Sequence, residues 1–198
     1  MCGIFFLLSD VINDSVRNNF LKIRHRGPDN SKTEILNYKD KKLFFGFHRL
    51  SINGLDEISN QPLINSGIHL ICNGEIFNYK NLVKEFELEN DYKSNSDCEV
   101  ILHLYKKIGI KETVKRLDGE FAFVLYDSNI EKIYIGRDQI GIRSLFIGRK
   151  ENDFIISSET KSIDESFKVK QFSPGTYSEL DLETLSIDED KYYFKLNK

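Results

Sequence analysis

Apolar residues in this chain gather in short runs, and only a few stretches carry them at helical spacing. Residues 3–8, 33–36, 43–50, 68–72, 120–126, 132–136, 144–148 and 154–157 read as strands. Helical periodicity is found mainly at residues 11–23, 79–86 and 98–108, with shorter pieces at 111–117 and 160–164. In the third helix Val100, Ile101, Leu104 and Ile108 form one apolar stripe. Ser96 followed by Glu99 predicts a capping box that fixes the helix start and puts Asp97 in its first turn.

Most strands follow one another with no long helix between them, which favours antiparallel sheets over a doubly wound parallel one. Residues 68–72 and 121–125 are apolar nearly throughout, so they should be buried on both faces, as in two sheets stacked between outer helix layers. The expected class is α+β. No repeat, low-complexity tract or linker divides the 198 residues, and one domain spanning 1–198 is expected.

Composition narrows the partners. A net charge of -3 with acids and bases interspersed offers no basic surface, so nucleic acid and anionic membrane are poor candidates. The apolar start is short, lacks a positive region and meets Asp10 at once, unlike a signal peptide or a membrane span. Cys2, Cys72 and Cys98 are an odd set without a CxxC, and the four histidines lack metal-ligand spacing. A reduced, cytoplasmic setting without structural zinc fits best.

Candidate chemistry begins at Cys2. Removal of Met1 would leave a thiol and a free α-amine on one residue, a nucleophile and a base together. An ordinary thiol titrates near ~8.5 and an α-amine near ~7.7 to 8.0, so much of the amine is free base close to neutrality. On its own, Cys2 also reads as a small apolar residue starting a strand. The other informative segments are Arg26-Gly27-Pro28-Asp29, His48-Arg49-Leu50-Ser51-Ile52, Asn73-Gly74-Glu75-Ile76-Phe77-Asn78 and Ser96-Asp97. Singly, the first is a good turn and Asn73-Gly74 a tight-turn signal. Arg49 reads as a solvated charge at a strand end, Asp97 as a helix-dipole partner, and Cys72 and Cys98 as core filler.

Together and in this order, these segments resemble the glutaminase domain of glutamine-dependent asparagine synthetases. Those are class II glutamine amidotransferases of the N-terminal nucleophile hydrolase superfamily. The resemblance extends over nearly the whole chain, through residues 118–123, 136–141, 157–161 and 173–175. It implies a four-layer αββα sandwich in which Cys2 attacks the side-chain amide of L-glutamine. Ammonia leaves, and water hydrolyses the γ-glutamyl thioester. The resemblance gives the oxyanion to the Asn73 side chain and the Gly74 N–H, with Cys2 the third catalytic residue. It gives the α-carboxylate to Arg49 and the α-ammonium to Asp97 with Glu75 beside it, while Leu50, Ser51, Ile52 and Asn53 line the pocket. No metal or organic cofactor is implied.

The chain departs from the family pattern at Ser144 and Ser173, where proline is common, which bears on loop shape. It ends at Lys198, where a synthetase would begin its ATP-dependent half, and no two of its glycines are adjacent. The expected acceptor of the ammonia is a separate synthetase-like subunit, unless the chain is a piece of a longer synthetase. The rival readings are a free-standing glutaminase and a non-catalytic interaction domain that retains the fold.

Overall fold

The computed structural model describes residues 1–188 and 191–194. In chain order the elements are β1 (Gly3–Ser9), α1 (Asp14–Leu21), β2 (Asn30–Tyr38), β3 (Lys41–Arg49), β4 (Leu63–Asn65), β5 (Ile68–Ile76), α2 (Tyr79–Glu85), α3 (Glu99–Arg116), β6 (Gly119–Asp127), β7 (Lys132–Arg137), β8 (Phe146–Lys150), β9 (Asp153–Ser157), β10 (Lys168–Gln171), β11 (Thr176–Leu180) and β12 (Lys191–Tyr192). One sheet has the order β10-β8-β9-β1-β3-β2 and the other β12-β11-β7-β6-β5-β4. Every pairing within them is antiparallel.

Alternation along β1 shows how the layers form, since successive side chains leave opposite faces of a strand. Ile4, Phe6 and Leu8 enter the core between the sheets, with Phe45, Phe47, Ile71 and Val124. Phe5 and Leu7 point the other way, into an outer layer with Phe20, Ile23 and Ile163. On the second sheet Leu70, Cys72, Phe121 and Phe123 face Leu82 of α2 and Ile101 and Leu104 of α3. The result is the expected α+β, αββα sandwich, and its doubly buried strands account for the near-continuous apolar runs. Among the described residues no helix is long and apolar enough to cross a membrane.

His48 ties the thin outer layer to the first sheet. Its ring is fully buried and stacks on Phe20 at 3.8 Å between centroids. Burial lowers its pKa, which keeps the imidazole neutral. A neutral ring then donates from Nε2 to the Phe20 carbonyl at 3.0 Å and accepts the Ser31 hydroxyl at Nδ1 at 2.7 Å.

Several elements differ from the sequence reading. The helix expected at 11–23 is only Asp14–Leu21, capped by the Asn13 side chain on the Val16 N–H, with a 3-10 turn at Arg24–Arg26 after it. The pieces expected at 98–108 and 111–117 are the two arms of α3, broken where Gly109 turns to φ 74° and ψ 166°. The Ser96–Glu99 capping box does not form. The Glu99 carboxylate instead takes the Lys93 and Ser94 N–H groups, at 2.9 and 2.8 Å, and Cys98 caps α3 with no side-chain bond. Asp97 thus precedes the helix rather than lying in its first turn. Asn73-Gly74 makes no turn either, because both continue β5 in register with Ala122 and Phe121. β4, β10, β11 and β12 escaped prediction; β10, for example, is Lys-Val-Lys-Gln and wholly exposed.

The segment after β7 is held from both sides. Arg137 is buried and donates to the carbonyls of Arg143 (2.7 Å), Phe172 (2.5 Å) and Gly141 (2.8 Å). The Asp138 carboxylate accepts the N–H groups of Gly141 (2.6 Å), Ile142 (2.8 Å) and Arg143 (3.0 Å). Replacing Arg137 by Met would leave the two buried carbonyls of Arg143 and Phe172 unpaired, each worth roughly 1 to 3 kcal/mol, and free the half-buried Gly141 carbonyl as well. Arg137→Met should therefore lose about 3 kcal/mol or more, seen as a fall of roughly 10 °C in Tm by calorimetry. A melt within a degree or two of wild type would show that the clamp is not structural.

Candidate active site

The strands that fill the inter-sheet core reach one end of the sandwich with polar residues in phase. Cys2 continues the inward series Ile4, Phe6, Leu8 and packs on that core. Arg49 follows Phe45 and Phe47 on β3, and Asn73 follows Ile71 on β5. All three line one pocket, together with Leu50, Ile52, Asn53, Gly74, Glu75 and Asp97. Ser51 alone of the candidate residues is not on its wall; its N–H donates to Asp29 Oδ2 at 2.7 Å.

The Leu50 backbone holds the thiol. Its N–H points at Cys2 Sγ at 3.4 Å, and its carbonyl lies 3.6 Å from the same sulfur. Burial pushes the thiol pKa up, while the Leu50 N–H, the amino terminus and Arg143 oppose that rise. The Arg26-Gly27-Pro28-Asp29 turn is the clasp around this point. Arg26 Nε donates to the Cys2 carbonyl at 2.9 Å, and its Nη1 is paired with Glu159 at 2.9 Å. Gly27 lies against the backbone between His48 and Arg49, where a Cβ would come within 2.3 Å of the His48 carbonyl carbon. Sequence reasoning gave Arg26 and Asp29 only a turn, since nothing local to the motif shows what it reaches.

Asn73 is 1% exposed, yet neither Nδ2 nor Oδ1 of its amide has a protein partner. Buried side-chain polar atoms are nearly always paired, so such an amide demands an explanation. The strand beneath it is fixed by Gln61, whose amide exchanges bonds with the Cys72 backbone, N–H to Oε1 at 2.5 Å and Nε2 to carbonyl at 3.1 Å. Gly74 is required by the neighbouring strand: a Cβ would stand 2.5 Å from the Glu120 carbonyl oxygen.

Arg49 is buried rather than solvated. Its Nη1 donates to the Asp56 carbonyl (3.0 Å) and Asn60 Oδ1 (2.7 Å), and its Nη2 to the carbonyls of Asn53 (3.2 Å) and Gly54. The same loop is knotted by Asp56, which accepts from Ser59 and Asn95; these bonds pull its pKa down to about 2. Asp97, 4% exposed, accepts the Ile76 N–H at 2.6 Å. Burial raises its pKa, with Glu75 adding to the rise and the Ile76 N–H and Asn53 side chain opposing it. Cys72 and Cys98, read as filler, both line the pocket, as do Gln61 and Arg143. A buried cysteine looks the same in sequence whether it faces a core or a cavity.

A two-sheet αββα sandwich with a thiol on its second residue at the mouth of the inter-sheet core has the architecture of the N-terminal nucleophile hydrolases. Comparison with known proteins narrows this. Residues 1–193 match the family model described as a glutamine amidotransferase domain, and the chain belongs to that family. It is 39% identical over 210 residues to the glutamine-hydrolyzing asparagine synthetases of Mesocricetus auratus and Homo sapiens, covering 98% of this chain and 36% of each relative. The Bos taurus asparagine synthetase is 40% identical over 195 residues, 92% of this chain and 34% of the relative. The chain thus spans about a third of the length of the curated relatives it matches. It is a glutamine amidotransferase domain of the asparagine synthetase type. Among solved structures, the glutamine phosphoribosylpyrophosphate amidotransferase of B. subtilis shares the fold, with a TM-score of 0.77 at 21% identity over 99% of this chain and 50% of that one.

Asp97 gives this site a pH signature. Its folded pKa lies above the ordinary carboxylate value, so the folded state binds more protons between the two, and stability falls as pH rises through that interval. Asp97→Asn keeps an acceptor for the Ile76 N–H and removes the buried charge. It should raise Tm by a few degrees at pH 7, and the gain should vanish below about pH 4. A gain that is equal at both pH values would refute the assignment of the cost to ionisation.

Proposed function

We propose that this chain hydrolyses the side-chain amide of L-glutamine through a thioester on Cys2, giving glutamate and ammonia. The observation that carries the reading is the Asn73 amide, buried without a protein partner in the pocket that Cys2 lines. A donor kept free at the site of a nucleophile is what a developing oxyanion needs, and the Gly74 N–H on the same strand supplies the second. Removal of Met1 exposes the Cys2 amine as the general base. The amine takes the thiol proton as sulfur attacks, then passes it to the leaving nitrogen, so ammonia departs neutral. Water adds to the thioester by the same base and oxyanion donors.

Arg49 and Asp97 suit the two ends of a free α-amino acid. The Arg49 fork takes the α-carboxylate by giving up loop carbonyls, so substrate binding and the 53–60 loop are coupled. The α-ammonium favours the charged form of Asp97 against the burial that raises it, with Glu75 beside it. Leu50, Ile52 and Asn53 line the wall, and Ser51 acts through Asp29. No cofactor takes part. Ammonia released to water is mostly protonated at neutral pH and no longer nucleophilic. A sheltered transfer to an asparagine-synthetase-like acceptor follows from that chemistry.

Three variants test the reading by ammonia release. Cys2→Ala should be inactive, as should protein shown by mass spectrometry to retain Met1. Asn73→Ala should lower kcat by roughly 10²-fold or more with KM little changed. Arg49→Ala should mainly raise KM, at a cost of roughly 2 to 5 kcal/mol in binding. Turnover by fully Met1-retained protein, or Asn73→Ala behaving as a pure KM variant, would sink the mechanism.

A further inference from the structure

We propose that Arg143 is a positioning residue that favours ionisation of the Cys2 thiol: its buried guanidinium lines the nucleophile's pocket, while its counter-ion Glu120 stands outside the wall. This deepens the reading above and rests on it. Arg143, in the bend just before β8, lines the same pocket as Cys2. It is 7% exposed, and its Nε is a buried donor with no protein acceptor, the condition also found at Asn73. Nη2 is paired with a Glu120 carboxylate oxygen. The Arg143 side chain is the more buried of the two, 8% against 22% exposed, so the positive end of the pair faces the pocket. The backbone that carries it cannot drift, because Asp138 holds the Arg143 N–H and Arg137 holds the carbonyl.

The cation acts on the thiol in the useful direction. It favours the thiolate over the thiol, against the burial that raises the thiol, and it disfavours an ammonium at the Met1 terminus that adjoins Cys2, which burial also lowers. The other charged or titratable groups facing this point are Arg26 and Asp29 from the turn after α1, Cys72 and Glu75 from β5, Arg49 from β3, and Asp97 and Cys98 at the start of α3. Arg49 donates to loop carbonyls and Arg26 to Glu159, and among the described residues Arg143 is the cation of this pocket with a buried donor left unpartnered.

The test reads the thiol directly, without turnover. The rate of Cys2 alkylation by iodoacetamide is followed against pH on the chain with Met1 present, with the modified residue assigned by peptide mass mapping. Arg143→Gln should move the midpoint up by roughly one pH unit, and Arg143→Lys should recover most of the shift. Glu120→Gln keeps an acceptor for Arg143 and unmasks its charge, so it should move the midpoint down. Opposite shifts from the two halves of one ion pair are not what a structural role produces. If Arg143→Gln does not fold, Glu120→Gln decides alone. An unmoved midpoint in folded Arg143→Gln, or an unmoved or raised one in Glu120→Gln, overturns the proposal. Failure of the processed wild type to hydrolyse glutamine would instead sink the proposed function, while the alkylation profiles still judge Arg143.

Discussion

The site depends on the two-residue period of the strands that fill the inter-sheet core. Side chains of one parity on β1, β3 and β5 are large and apolar through the middle of the sandwich, then become Cys2, Arg49 and Asn73 at one end. A slip of one residue in any of these strands would send its polar group to an outer helix layer and an apolar one to the pocket. Register is therefore catalytic geometry, and the core enforces it. Phe6 against Phe45, at 5.0 Å between ring centroids, and their neighbours hold β1 on β3 with Gly3 opposite His48.

That core also carries the cost of the site. An unpaired buried amide at Asn73, an Asp97 carboxyl pushed up by burial and an Arg143 nitrogen without acceptor are each unfavourable. They stay in place because the backbone beneath each is fixed independently. Gln61 fixes β5 before Asn73, the Ile76 N–H fixes Asp97, and Arg137 with Asp138 fixes the segment that ends in Arg143. Gln61, Arg137 and Asp138 bond backbone groups here, so they do not compete for the Asn73 amide or the Arg143 Nε.

The two-sheet architecture was legible because strands buried on both faces are apolar in every position, and the family likeness was legible because its short segments occur in order. What sequence could not show was long-range pairing. Arg26, Asp29 and Gln61 act on residues 24, 22 and 11 positions away, and no local pattern encodes those partners. The Asn73-Gly74 turn failed for the opposite reason: a strong local signal was overridden by the nine-residue register of β5 with β6. Ser96 and Glu99 had the spacing of a capping box, but Glu99 finds better partners in the Lys93 and Ser94 N–H groups.

Three thiols share this pocket, which raises the question of what singles out Cys2. Burial alone does not, because Cys98 is raised as well, by the Cys72 thiol against it and then by its own burial. Cys98 also spends its S–H on the Gly74 carbonyl at 3.7 Å, and Cys72 is locked mid-strand. Only Cys2 sits beside the amino terminus, an Arg143 cation and a backbone N–H at once. On the proposed chemistry the difference is the source of a base. A mid-chain thiol would need a histidine, and the ring nearest in sequence to this wall, His48, is neutral, stacked on Phe20 and bonded at both nitrogens. A base carried on the nucleophile's own residue removes the need for one, and the strand that delivers Cys2 to the end of the core delivers both groups in a single placement.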